Sequence, residues 1–372
     1  MIEDDGVVIP IEGLAERVSY LERPVALPAV CDVSLGTTFT DPAVRADFAA
    51  LTHSVRIRSY RLRDVTIDAS LMMLSSGRAP IMETSYAVSE HDIAYALRFP
   101  FRPAPDPEPE RLHIVACNRV HYNYYHWIVQ CVPAIDWGIR NKSSQVALVL
   151  LELNPLHEET LALLGYDTVP RHMLQRGRRD FFTRAEFSEF LGGAMPFQVS
   201  LAAAATFGRM RKMVPPAKVS GETVYVARTD VTRRVAVNEA ELIRMLRDEG
   251  VTIVVPSELS LREQIATFRA ARLVIGPHGA GMTNIVFCEP GSFVYELLPT
   301  HYPNPCMNRL AQAGRLHYWA DLFPTLDDHG YEHDRTWRID VAAVATRLKA
   351  LRGRVARADT ADQRLAPARK AG

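Results

Sequence analysis

The segment LVIGPHGAGMTNIVFCEPGSFVYE, residues 273–296, constrains this chain more than any other. Its apolar start at 273–275 reads as a buried strand, followed by a glycine-rich turn, a helix start and a second strand at 292–296. Gly279 and Gly281 carry no side chains, so backbone N–H groups can come close to a ligand at the helix N-terminus. Those groups and the helix dipole favour an anion, most simply a phosphate or pyrophosphate. Glu296 ends the next strand, where a carboxylate can accept hydrogen bonds from ribose hydroxyls. The spacing is neither GxGxxG nor a GK[ST] loop, and a bare glycine turn can also serve only to close a tight strand–helix connection.

The flanking sequence adds weight to the ligand reading. Residues 223–227 (TVYVA) form a short strand and 238–249 a helix, with Asn238 as N-cap and Glu241 closing a capping box. A strand at 251–255 precedes a helix begun by Ser260, with Glu263 three residues on. Strands at 273–275 and 293–297 complete the alternation, which predicts a parallel sheet with helices on both faces. Ligands of such sheets bind beyond the carboxyl ends of the strands. Arg228, Pro256, His278 and Glu296 fall at four successive strand ends.

Residues 1–110 read as strands and loops of a first domain, broken by proline-rich sequence at 101–110. A second α/β region occupies 111–214. It has strands at 113–117 and 146–151, a helix at 125–139, a helix capped by Asn154 running to 164, a strand from 169 and partly helical sequence over 182–214. PPAKVSG at 215–221 is a linker, 221–340 the ligand-binding domain, and 341–372 a C-terminal helix ending in a tail expected to fray from 352. Lys plus Arg and Asp plus Glu each number 43, which argues against nucleic acid as partner. Five dispersed cysteines without a CxxC pattern read as reduced thiols. The acidic start MIEDDGVVIP shows no leader, and no apolar run reaches membrane-spanning length. The expectation is a cytoplasmic protein with at most peripheral membrane association.

The run YVARTDVTRRVAVNEAEL, the strand TIVVP and the block LSLREQIATFRAARLVIGPHGAGMTNIVFCEPGSFVYELLP resemble glycosyltransferase family 61. HYNYYHWIVQCVPAID upstream is similar to that family's aromatic HW segment, so the resemblance spans residues 111–300. It implies a GT-B architecture of two Rossmann-like domains and an inverting transferase using a nucleotide sugar, commonly UDP-linked. Family members that modify proteins or plant xylan work in the secretory pathway. The absence of a visible leader here favours a bacterial-type enzyme passing sugar to a glycan or glycolipid in surface polysaccharide synthesis.

Inverting transfer requires a stabilised leaving diphosphate, a general base for the acceptor hydroxyl and an aligned donor. Arg228 and Arg234 are the candidate diphosphate clamps, because guanidinium groups form bidentate bonds to phosphate. Gly279, Ala280, Gly281 and Met282 would offer backbone donors and Thr283 a hydroxyl, while Asn284 either caps the turn or binds ligand. His278 at the mouth of the turn would bond the sugar or a phosphate. His126 is the leading base, with Asp136 and His121 as alternates; Tyr122, Tyr124 and Tyr125 are stacking platforms or core. Residues 255–259 would meet the nucleobase. No Asp-x-Asp motif is present, so metal-independent transfer with no cofactor is expected. Three other readings remain, of which a structural partner protein is the least favoured, because polar residues sit at successive strand ends. A second is a nucleotide-sugar binder without turnover. The third, a metal hydrolase built from His121, His126 and His278, lacks HExxH spacing.

Overall fold

A computed structural model describes residues 10–27, 32–97, 103–140, 142, 145–218, 222–327 and 329–365. The first nine residues, Cys31, the start of the proline-rich break, the end of the 215–221 linker and the last seven residues lie outside the described residues. The chain divides into two compact units: Met1–Ala26 with His53–Thr206, and Leu27–Thr52 with Phe207–Gly372. Residues 27–52 therefore group with the C-terminal half, although the sequence reading placed them in the first domain.

In the C-terminal unit the parallel sheet forms as the alternation predicts. Its strands lie in the order Thr252–Val254, Thr223–Val226, Leu273–Pro277, Phe293–Pro299, His317–Phe323 and Val33–Leu35, each pair parallel. Every residue of the Thr223–Val226, Leu273–Pro277 and Phe293–Pro299 strands is buried, which is why these strands read as continuous apolar runs. On one face Tyr225, Ile275, Tyr295 and Leu297 pack with Leu242 and Leu246 of helix Glu239–Asp248 and with Val344, Leu348 and Leu351 of helix Val341–Leu365. That helix continues where fraying was expected, at least to Leu365, and buries Val355. Helices Leu261–Ala270 and Cys306–Gly314 and the 3-10 helix Ala280–Phe287 pack against one another beside the same sheet.

Taken in chain order, the five strands from Thr223 on lie 2-1-3-4-5 across the sheet. The order reverses between Thr223–Val226 and Leu273–Pro277, which makes their carboxyl ends the switch-point crevice. Ser260 and Glu263 form the expected capping box. Asn238 does not cap: its amide instead donates to Ile339 O at 2.8 Å and accepts from Ile339 N at 2.9 Å.

The other unit is mixed rather than all-parallel. Strands Arg179–Ser188, Leu112–Val115, Val146–Leu150 and Arg171–Met173 run parallel in that order. Ile57–Asp68 pairs antiparallel with Arg179–Ser188, Met73–Ser76 and Arg17–Glu22. A doubly wound sheet like that of the C-terminal unit is therefore not repeated here. The 182–214 region opens on a strand because Phe182, Ala185 and Phe187 bury against this sheet; short 3-10 turns at Glu189–Leu191 and Met195–Phe197 then lead to its α-helix, Leu201–Lys212. Asn154 caps helix Pro155–Leu164 as expected, with His157 completing the box. The helix expected over 125–139 comprises Tyr124–His126, a π-helical turn Trp127–Cys131 and Val132–Arg140.

Candidate functional site

At the switch point the chain leaves strand Thr223–Val226 toward Arg228 and strand Leu273–Pro277 toward His278. The Arg228 guanidinium donates to His278 O at 2.6 Å and to Arg233 O at 2.8 Å, bracing both strand-end loops. It lies directly over Gly279, where a Cβ would fall 1.5 Å from Arg228 Nη1. This close approach, rather than an unusual backbone angle, explains the glycine. A Cβ on Gly281 would meet Val226 Cγ1 at 3.1 Å and Pro256 Cγ at 3.2 Å, so that glycine serves strand-end packing. The helix expected after the turn is present, as a 3-10 helix over Ala280–Phe287. Ala280 and Gly281 are half-exposed in its first turn, where amides have no intrahelical acceptor.

Arg234 adopts a left-handed backbone with φ 51°, uncommon for a residue with a side chain. Its amide donates to His333 O at 2.9 Å, its carbonyl accepts from Trp337 Nε1 at 2.7 Å, and its guanidinium bonds His333 Nδ1. The guanidinium carbon sits 4.8 Å from the Tyr302 ring centre, a cation–π contact. Tyr302 also packs against the rings of His278 at 5.4 Å and His333 at 4.8 Å. His278 and Arg234 therefore flank one aromatic ring.

Both arginines are half-buried, and among the described residues neither guanidinium has a carboxylate within ion-pair distance. Their Nε atoms are buried without a partner. Burial first, and the neighbouring Arg234 second, push the Arg228 pKa down to about 10. Burial lowers that of Arg234 as well. His278 is lowered by burial, with Glu296 opposing and the two arginines adding. His301 and His333 are lowered by burial and by nearby arginines. The nearest carboxylates are committed elsewhere. Glu239 accepts from Arg228 N at 2.8 Å and Tyr225 Oη at 2.9 Å, and Asp230 from Ser257 Oγ at 2.5 Å. Partly desolvated guanidinium groups whose carboxylates act only from beyond ion-pair distance are stabilised by an incoming anion.

Several expected contacts are placed differently. Glu296 does not reach a ribose position: it is fully buried, accepting from His278 Nδ1 at 2.6 Å and from Tyr318 Oη. The strand runs on to Pro299, so Glu296 lies mid-strand instead of at its end. Its role here is to hold the His278 proton on Nδ1, leaving Nε2 directed elsewhere. Met282 is buried, and its sulfur occupies the space a Cβ on Gly276 would need. Thr283 is buried and its hydroxyl lacks a partner among the described residues. Asn284 is structural, donating to Gln264 Oε1 at 2.8 Å and Gly281 O at 3.1 Å. Tyr302 and His333 were not singled out in the sequence; Tyr302 follows the end of strand Phe293–Pro299, the same signal that marked Arg228 and His278.

In the other unit His126 is half-buried between the rings of Tyr86 at 5.1 Å and Tyr125 at 5.3 Å. Its Nδ1 lies 2.7 Å from Gln130 Oε1, and its Nε2 has no partner among the described residues. Burial lowers its pKa, with the Gln130 bond opposing. Asp136, the alternate base, is fully buried and accepts from Tyr166 Oη at 2.6 Å and Thr206 Oγ1 at 2.8 Å; it is a packing carboxylate. His121 spans two carbonyls, Asn118 O at 3.2 Å and Glu152 O at 3.0 Å, which leaves no ring nitrogen for an acceptor substrate. Trp127 is buried, donating to Thr160 Oγ1 at 3.1 Å, and Tyr125 is core. Tyr122 is 66 % exposed and Tyr124 half-buried.

The family model described as Glycosyltransferase 61 matches residues 124–295, a span that holds His126, Arg228, Arg234 and the glycine turn. A 64-residue stretch, 17% of this chain, is 30% identical to a β-1,2-xylosyltransferase of Arabidopsis thaliana, covering 12% of that protein. A 68-residue stretch, 18% of this chain, is 31% identical to a β-1,2-xylosyltransferase of Oryza sativa subsp. japonica, covering 13% of it. The matched segments thus span about an eighth of the curated relatives. These likenesses support a glycosyltransferase. No helix among the described residues is long and apolar enough to cross a membrane.

Proposed function

We propose that this chain is an inverting glycosyltransferase that takes a sugar from a nucleotide sugar, most simply UDP-linked, and passes it to a hydroxyl of a glycan or glycolipid. The observation that carries the reading is the pair of half-buried guanidinium groups without carboxylate partners at the sheet's switch point. The donor diphosphate supplies the missing charge, drawing on Arg234 and the first amides after Gly279, while Arg228 braces the turn they share and Glu296 anchors His278 beside it. His126 Nε2 takes the acceptor proton as the acceptor oxygen bonds the anomeric carbon. The anomeric C–O bond breaks in the same step, and its electron pair leaves on the diphosphate.

A bacterial-type enzyme at the cytoplasmic face, serving surface polysaccharide synthesis without a metal, is the fuller form of this reading. The xylosyltransferase relatives make a pentosyl donor the first to test. Thermal shift with UDP, UDP-sugars and uridine, with and without chelator, tests donor binding. At a concentration a hundredfold above the Kd for UDP, UDP should stabilise by about 2.7 kcal/mol and uridine at that same concentration by much less. Stabilisation by every nucleotide that vanishes in chelator would overturn the metal-independent part. Binding without turnover in the presence of acceptors would leave a nucleotide-sugar binder.

A further inference from the structure

The π-helical turn Trp127–Cys131 carries a side chain that the mechanism above does not use. Gln130 is fully buried, four residues after His126, and every atom of its amide is engaged. Gln130 Nε2 donates to Gly192 O at 2.9 Å. Gln130 Oε1 receives Asn118 Nδ2 at 3.0 Å and faces His126 Nδ1 at 2.7 Å. Asn118 is pinned in turn, since its Oδ1 accepts from Val120 N at 3.2 Å.

The orientation of both amides follows from the backbone. Gly192 O can only accept, so the Gln130 atom facing it must be the NH2. Val120 N–H can only donate, so the Asn118 atom facing it must be the oxygen. What remains toward His126 is an oxygen, and an oxygen at 2.7 Å requires a proton on Nδ1. In the neutral ring the lone pair then belongs to Nε2. Edge-to-face contacts with the rings of Tyr86 and Tyr125 help hold the imidazole in that plane. A π-turn widens the helix locally and is frequent at functional sites; here it sets the spacing at which residue 130 meets residue 126.

We propose that Gln130 is a positioning residue. Its amide, pinned by Gly192 and Asn118, keeps the His126 proton on Nδ1 and presents Nε2 as the proton acceptor for an incoming sugar hydroxyl. This rests on the reading of His126 as the base and adds what sets its tautomer. When Nε2 takes the acceptor proton, the Nδ1–H bond to Gln130 persists, and the amide oxygen faces the imidazolium that forms. Nothing has to rotate during the step.

Nitrogen-15 NMR of histidine-labelled protein tests the lock without any assay of transfer, with His126→Asn identifying the resonances. The wild-type His126 ring should be in the Nδ1–H form at neutral pH. Gln130→Met, which keeps the shape and removes the acceptor, should lose that preference and lower kcat while leaving the donor Kd within a few-fold. Gln130→Glu sets a carboxylate against Nδ1–H, so the acid limb of the kcat/KM profile should move up by about one to three pH units. A wild-type ring in the Nε2–H form, or an unchanged tautomer in folded Gln130→Met, would overturn the proposal; the wild-type spectrum decides even if the variants fail to fold. An Nδ1–H ring together with full transfer by His126→Ala would instead remove His126 as base, so the two failures are distinguishable.

Discussion

The C-terminal unit gathers two guanidinium groups that no carboxylate among the described residues meets at ion-pair distance, whereas the polar groups around His126 in the other unit are neutral and answer one another. Arg228, Arg234, His278 and His333 crowd a strand-end crevice, with two buried Nε atoms unpartnered and one arginine held at positive φ. Around His126 the Gln130 and Asn118 amides have each atom matched to a donor or acceptor. Guanidinium groups without a carboxylate at ion-pair distance are suited to bind an anion, and a matched neutral network is suited to hold a ring and its proton in place.

The comparison can be broken most severely at the neutral site. His126→Ala should lower transfer by roughly 10²–10⁴-fold and leave donor binding intact. Wild-type transfer in that variant would reduce the network to packing. At the charged site, Gly279→Ala sets a Cβ where the Arg228 guanidinium lies, and a flexible side-chain end can yield, so the fold survives. Displacing that brace should cost about 1.5–3 kcal/mol of UDP affinity in calorimetry, the worth of a charge-assisted bond. Unchanged affinity would mean the brace is irrelevant to the ligand.

A smaller effect concerns pH. Burial depresses the His126 pKa, so the ring is neutral at pH 7 and its base form is lost only as pH falls through the depressed value. The acid limb of kcat/KM should therefore lie below the ordinary histidine value of about 6.5. A limb above it would show that another group carries the proton. The least effect on function belongs to Asp136→Asn. Tyr166 and Thr206 hydroxyls can reorient toward an amide, so stability should fall by about 1 kcal/mol with transfer per folded molecule unchanged.

The sheet of the C-terminal unit was legible because parallel strands buried on both faces leave unbroken apolar runs, and because Ser260 and Asn154 have local capping partners. Strand Val33–Leu35 was not legible. It is short, and it pairs with His317–Phe323, far along the chain. Strand-end logic placed Arg228, His278 and the glycine turn beyond the carboxyl ends of their strands, where the structure has them. It misplaced Glu296 because the strand continues to Pro299, which turns an exposed end into a buried middle. Asp136 was misread for a related reason, since nothing local shows that Tyr166 and Thr206 seal it. The positive φ of Arg234 and its contacts with Tyr302 and His333 are set by tertiary packing, which no local pattern records.

The central claim is that the guanidinium groups at the switch point exist to meet a diphosphate, and Arg234→Ala tests it most directly. Calorimetric titration of wild type and variant with UDP and with uridine separates phosphate contacts from nucleoside contacts. The account predicts that the variant loses about 1.5–3 kcal/mol for UDP, roughly ten- to 150-fold in Kd, and almost nothing for uridine. Equal losses for the two ligands, or no loss for UDP in a folded variant, would contradict it.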